Sequence, residues 1–214
     1  MPVTLDEQKY ANSSAAPAPP PAPRPRLLSV GRLVPNKCIE DLFKLLHCYR
    51  QVEPQARLWL IGRVPPWLPA YQAWLEEILI SLNLRDAVEL GGYVSQTDLL
   101  QRFRQADVYL SMSEHEGFGK PLVESMYLGL PVLAYAAAAV PDTLGGAGLL
   151  FHAKHYAALV EAIEILRTDP ALRRRVVARQ RERAQAFLPV AVQPLWENYL
   201  QGLGLLDKRE TPRP

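Results

Sequence analysis

The chain has 214 residues, 49% of them hydrophobic, which suits one sizeable domain with a buried core and excludes a chain that is disordered throughout. A formal charge of +2, from 24 Lys+Arg against 22 Asp+Glu, gives no overall attraction for nucleic acid or a strongly anionic surface. Cys38, Cys48 and four scattered histidines form neither a zinc spacing nor a disulfide framework, so a reducing, cytoplasmic setting is expected. No apolar run reaches the roughly 18 residues that span a bilayer, and the first residues lack the basic-then-apolar pattern of a secretory signal.

Seven of the 20 prolines fall within residues 1–26, and Ser13–Arg26 holds only Ser, Ala, Pro and Arg. Such a stretch cannot bury enough surface to fold, so residues 1–26 are expected to form a disordered, linker-like arm. A linker joins two things, yet only Met1–Asn12 stand before it, and a further domain or partner chain on that side is expected. From Leu27 short apolar runs alternate with amphipathic segments. Strands are expected at Leu27–Val30, Arg57–Ile61, Ala87–Leu90, Val108–Ser111, Val132–Tyr135 and Leu149–Phe151. Between them, Ile39–Val52 places Leu42, Leu45, Leu46 and Tyr49 on one helical face, and Tyr71–Leu82 does the same with Trp74, Leu75, Ile78 and Leu79. Ser95 followed by Asp98 reads as the cap of a helix through Arg104. Strands separated by helix-length crossovers imply a single doubly wound, Rossmann-like parallel α/β sheet over 27–206, followed by a disordered tail at 207–214. Ligands of such sheets bind at the carboxyl ends of strands, which directs attention to loops 31–38, 62–70, 91–95, 112–120 and 136–146.

The loop leaving the fourth expected strand runs Glu116-Gly117-Phe118-Gly119-Lys120 into a helix that carries Glu124. Its glycines let the backbone approach a ligand, and the free N–H groups of the first helical turn make an anion site. Pro121 fits such a start, because the N–H it lacks would have been unpaired anyway. Glu116 on the loop and Glu124 in the helix are placed to bracket a ligand and to grip sugar or ribose hydroxyls. In the first loop, Arg32 and Lys37 deliver two cations across a Pro-Asn turn, a fork and a point charge suited to one diphosphate.

The segments VGRLVPNK, GGYV, EHEGFGKPLVE, MYLGLPVLAY and AVPDTLGGAGLLF together resemble the C-terminal, nucleotide-sugar-binding domain of family 4 glycosyltransferases of GT-B fold, from Leu27 to about Ala186. PVTLDEQKY is similar to the point where those enzymes enter their interdomain linker. The resemblance implies retaining transfer of a sugar from a nucleotide-diphosphate sugar to an acceptor, with a separate acceptor domain and no cofactor or divalent metal. The chain contains no Asp-x-Asp pair to bind such a metal. It further implies that Arg32 and Lys37 hold the diphosphate, Glu116 contacts the transferred sugar and Glu124 the ribose. Gly117, Phe118, Gly119 and Lys120 would meet the diphosphate or sugar, while Tyr93 and Val94 would lie near the base. The implied partners are a nucleotide sugar and an acceptor glycan, lipid or small molecule, and no nucleic acid. The implied place is the cytoplasm, or the inner membrane face when an acceptor domain or partner holds the chain there. A non-catalytic nucleotide-sugar-binding module is the alternative. Epimerases and phosphorylases of like architecture fit less well, since the loops offer neither extra acid–base groups nor a pyridoxal-phosphate lysine setting.

Five further features stand out. Cys38 occupies a place where the family often has Gly, and strains the loop if the backbone there needs positive φ. Asp142 stands where Glu is commoner, and His115 neighbours Glu116. The arginines of 167–183, with no interleaved aromatics, are expected on a solvated helical face. Trp196 and Tyr199 lie in a last helical pattern, Val192–Leu203, able to pack on this domain or to meet a partner.

Overall fold

The computed structural model describes residues 4–6, 9–10 and 25–205. Of the stretch expected as a linker, residues 13–24 lie outside the described residues, as does the expected tail at 207–214, while Arg26, expected to end the arm, opens the first strand. In chain order the elements are β1 (Arg26–Val30), α1 (Ile39–Tyr49), β2 (Arg57–Ile61), α2 (Pro69–Ser81), β3 (Val88–Gly92), α3 (Gln96–Gln105) and β4 (Val108–Ser111). There follow α4 (Lys120–Leu128), β5 (Val132–Tyr135), α5 (Val140–Leu144), β6 (Leu149–Phe151), α6 (Tyr156–Thr168), α7 (Pro170–Gln185) and α8 (Pro189–Gly202).

All six strands run parallel in the order β3-β2-β1-β4-β5-β6. This is the doubly wound, Rossmann-like sheet that the alternation implied. Its strands are short and Leu- and Val-rich because both faces are covered. On one face α1, α2 and α6 pack Leu42, Leu45, Leu46, Leu75, Leu79, Ile163 and Leu166 against Leu27, Leu58 and Leu60. Leu45 and Leu46 have no exposed surface, and truncating either to Ala removes a group whose loss commonly costs about 2–5 kcal/mol. On the other face α3, α4, α5 and α7 contribute Phe103, Leu122, Met126, Leu144 and Ala184.

The structure departs from the sequence expectations in several places. Strand β3 continues through Gly91-Gly92, because Gly92 pairs with Ile61 beyond a register shift. Residues 140–144, expected as loop, form one helical turn that ends at Gly145 in the left-handed region. Leu5 and Tyr10, expected in a structureless arm, are each only 2% exposed and join the α4 face of the core. Leu5 N–H donates to the Phe187 carbonyl at 2.8 Å.

The arginine helix is also only partly the solvated face expected. Arg173 is buried and donates to the Asp107 carbonyl at 2.8 Å, while Arg183 donates to the carbonyls of Thr143 and Asp142 at 3.1 and 2.7 Å. Gln180, fully buried, bonds Val132 N–H and the Leu130 carbonyl, tying α7 to β5. Arg174, Arg175 and Arg179 are the exposed remainder. In α8, Trp196 packs edge-on to Tyr199 at 6.0 Å, and Tyr199 itself is exposed. Among the described residues no helix is long and apolar enough to cross a membrane.

Candidate functional site

The chain winds in opposite directions from β1 and from β4, which are neighbours in the sheet, so the loops at their carboxyl ends part and leave a crevice. Both informative loops of the sequence end there. After β1, Gly31 and Arg32 lead into a one-turn 3-10 helix, Pro35–Lys37, started by Pro35. It ends on Cys38 at φ 49° and ψ 54°, a left-handed backbone in a residue with a Cβ, as the Gly-to-Cys departure foreshadowed. The β1 loop is sewn to the β4 loop. The Asn36 carbonyl accepts from Glu114 N–H at 2.9 Å and from the Ser113 hydroxyl at 3.1 Å, and the Asn36 amide donates to the His115 carbonyl at 3.0 Å.

This stitching sets the Lys37 ammonium 2.5 Å from the Glu116 carboxylate. The two side chains are only 23% and 16% exposed, so the pair is better shielded than an ordinary surface ion pair. Around it Gly31, Arg32, Ser111 and Ser113 line a narrow polar cleft. Arg32, itself exposed, also borders an adjoining cavity of about 280 Å³ walled by Ile61, Gly62, Arg63, Tyr93, Val94 and Leu99. The two spaces meet at Arg32, one polar and cation-lined, the other mostly apolar. At Gly62 a Cβ would sit 1.8 Å from the Gly31 carbonyl oxygen, so only glycine lets the β1 and β2 loops close together here. Tyr93 is exposed at the outer rim, with the Arg63 guanidinium 4.8 Å from its ring centre.

On the other side Gly119 starts α4 at φ 79°, where a Cβ would also strike Leu122. Gly117 is exposed, and Phe118 packs edge-on against Phe187 at 5.4 Å. The Phe118 carbonyl accepts from the Thr143 hydroxyl at 2.6 Å, and the Glu116 carbonyl from Ala139 N–H at 3.2 Å. The β5–α5 segment therefore braces the glycine loop. Lys120 is exposed at the first helical position, its ammonium 3.9 Å from Glu124.

Glu124 is not simply open beside the loop. It is 7% exposed and accepts a 2.6 Å hydrogen bond from the Tyr10 hydroxyl. Burial pushes its carboxyl above the usual range, and the Tyr10 hydroxyl and the Lys120 and Lys9 ammoniums oppose that rise. The structure thus gathers Arg32, Lys37 and Glu116 at one cleft and Tyr93 and Val94 at the adjoining cavity, while Gly117 to Lys120 follow Glu116 outside both linings and Glu124 lies beneath Tyr10. His115 is exposed and contributes its carbonyl; Asp142 offers its carbonyl to Arg183.

Sequence reasoning missed Tyr10, Arg63 and the Asn36–Ser113 stitching. It also missed a second polar cluster beside the crevice. There Asp41, buried at the start of α1, accepts from Lys154 and Tyr156 at 2.7 Å each, and Lys154 also bonds Glu114 at 3.0 Å. These donors hold the Asp41 carboxyl below its usual range despite burial, and both carboxylates hold the Lys154 ammonium above its own. Cys38, Glu40 and Asp41 bring three potential metal-ligand atoms within 4.8 Å of one another. The Lys154 charge already sits on that cluster and would compete with a cation.

A doubly wound α/β sheet with a cation-lined crevice at its switch point belongs to a class of folds that take their ligands there, outside the carboxyl ends of the strands. Within that class the chain belongs to the glycosyl transferases group 1 family, whose model matches residues 13–183. It is 29% identical over 175 residues to the O-antigen chain mannosyltransferase B of Escherichia coli, covering 80% of this chain and 42% of that protein. It is 30% identical over 165 residues to the GDP-mannose:cellobiosyl-diphosphopolyprenol alpha-mannosyltransferase of Xanthomonas campestris, covering 76% of this chain and 41% of that one. Its fold matches Anabaena HepE solved with UDP-glucose at a TM-score of 0.75 and 23% identity, over 85% of this chain and 50% of that one. Sucrose-phosphate synthase from Thermosynechococcus elongatus matches at 0.73 and 29% identity, over 95% and 50%. The chain therefore spans half or less of the length of each of these relatives.

Proposed function

We propose that this chain is the donor-binding, C-terminal half of a retaining, metal-independent family 4 glycosyltransferase, which moves a sugar from a nucleotide-diphosphate sugar to an acceptor. The observation that carries the reading is the convergence of Arg32, Lys37 and Glu116 on one cleft, with the Gly119 start of α4 three residues beyond Glu116. In this reading the diphosphate lies between the two cations and the N-terminal turn of α4, with backbone of Gly117 to Lys120 against it. As the anomeric bond breaks, negative charge grows on the diphosphate. Cations and a helix dipole already aimed there stabilise that charge more in the transition state than in the ground state. Removing one such preorganised contact typically costs about 2.7–4 kcal/mol of barrier.

Glu116, held by Lys37, orients the sugar rather than attacking it, and transfer proceeds on the face of the departing diphosphate, which preserves configuration. Glu124 holds the ribose, and the apolar cavity beside Tyr93 and Val94 takes the base. The acceptor wall comes from a second domain or partner chain. Residues 1–214 alone therefore bind donor but transfer slowly, and robust turnover by the isolated chain would refute that part. The donor reading is tested by thermal shift with UDP, GDP and ADP sugars on wild type, Lys37→Ala and Glu124→Ala. A ligand at about 100 times its Kd adds about 2.7 kcal/mol of stability. One nucleotide class should raise the wild-type melting point and fail to raise those of the variants; no shift with any of them refutes the reading.

A further inference from the structure

The N-terminal segment carries a side chain onto Glu124 from far along the chain. Tyr10 lies 114 residues before Glu124, is 2% exposed, and donates its hydroxyl to the Glu124 carboxylate at 2.6 Å. Its ring stands edge-on to Tyr127, 5.8 Å away and one turn further along α4, and Leu5 pins the same segment to the Phe187 carbonyl. The ring alone would satisfy the packing, as a phenylalanine would. The hydroxyl adds a directed bond to a buried charge, and such bonds are the strong ones.

We propose that Tyr10 is a positioning residue of the donor site, its hydroxyl locking the Glu124 carboxylate in one orientation so that it receives the hydroxyls of a nucleotide's ribose. This rests on the reading of Glu124 as the ribose contact. The groups that face Glu124 are Tyr10 and Lys9 from the N-terminal segment, Lys120 from its own helix and Tyr109 from β4. Of these, Tyr10 alone donates a hydrogen bond shorter than 3 Å to it among the described residues. Burial already raises the Glu124 carboxyl, and the Tyr10 bond counters that rise. Loss of the hydroxyl therefore leaves the carboxylate easier to protonate, and ribose binding fails at a higher pH than in wild type.

The test compares wild type, Tyr10→Phe and Glu124→Gln by calorimetric titration with UDP, GDP, ADP and inorganic pyrophosphate between pH 5 and 8, with thermal melts confirming that each is folded. Tyr10→Phe should weaken the nucleoside diphosphate that wild type prefers by about three- to tenfold. It should leave pyrophosphate unchanged and move the acid limb of nucleotide binding to higher pH. If Glu124→Gln weakens the nucleotide while Tyr10→Phe matches wild type at every pH, Tyr10 merely packs and the proposal is wrong. Equal weakening of nucleotide and pyrophosphate, or weakening with no movement of the acid limb, also overturns it. If Glu124→Gln keeps full nucleotide affinity, or wild type binds none of the three nucleotides, the ribose reading itself falls and takes this proposal with it.

Discussion

Two sets of cations in this molecule carry the same charge and are used in opposite ways. On α7 the guanidiniums of Arg173 and Arg183 are turned onto main-chain carbonyls of Asp107, Asp142 and Thr143, where their donors close gaps between layers. At the end of β1, Arg32 lines two cavities and Lys37 is held by a single carboxylate at the edge of a cleft. A cation turned inward onto main-chain carbonyls belongs to the fold; a cation held beside open space is available to a ligand. Sequence composition sees only arginines and lysines, and by count the α7 cluster is the louder signal.

That contrast can be broken by substitution. The largest effect is expected at the cleft: Lys37→Ala should lower affinity for the preferred nucleoside diphosphate about 10- to 100-fold, since bonds to charged groups are worth about 1.5–3 kcal/mol. Its melting temperature should stay near that of wild type, and titration calorimetry with a thermal melt checks both. Arg173→Ala should do the reverse. Leaving the buried Asp107 carbonyl without its donor is expected to cost about 1–3 kcal/mol of stability in denaturant titration, with nucleotide affinity of the folded protein unchanged. A smaller effect separates two replacements of Cys38. Its backbone at φ 49° favours a residue without a Cβ, so Cys38→Gly should be more stable than Cys38→Ala by about 1 kcal/mol. Smallest of all, Arg174→Ala on the exposed side of α7 should change stability by no more than about 0.5 kcal/mol, which sharpens the division within one helix.

Much of the fold could be read from period and punctuation. Each strand expected from its apolar run lies in the sheet, and Ser95 does cap α3, accepting from Asp98 N–H at 3.1 Å. Helix ends were less legible. The expected Ile39–Val52 stops at Tyr49, and α2 starts at Pro69 rather than Tyr71, because proline at the first position and local turn bonds set the ends more than periodicity does. At the site, Arg32, Lys37 and Glu116 could be placed together because each follows a strand end in an α/β alternation. What a one-dimensional pattern cannot show is contact across the chain. Tyr10 on Glu124, Arg183 on the Thr143 carbonyl and Lys154 on Asp41 depend on how helices stack over the sheet, and none has a local signature.

The decisive measurement is a crystal structure of the chain soaked with the nucleoside diphosphate that stabilises it best. The two phosphates should lie within about 3.2 Å of the Lys37 ammonium and of backbone N–H groups at Gly119 and Lys120, with the Arg32 guanidinium turned onto them. Density for the phosphates anywhere else on the sheet, with the cleft lined by residues 32, 37 and 116 still empty, would contradict the account.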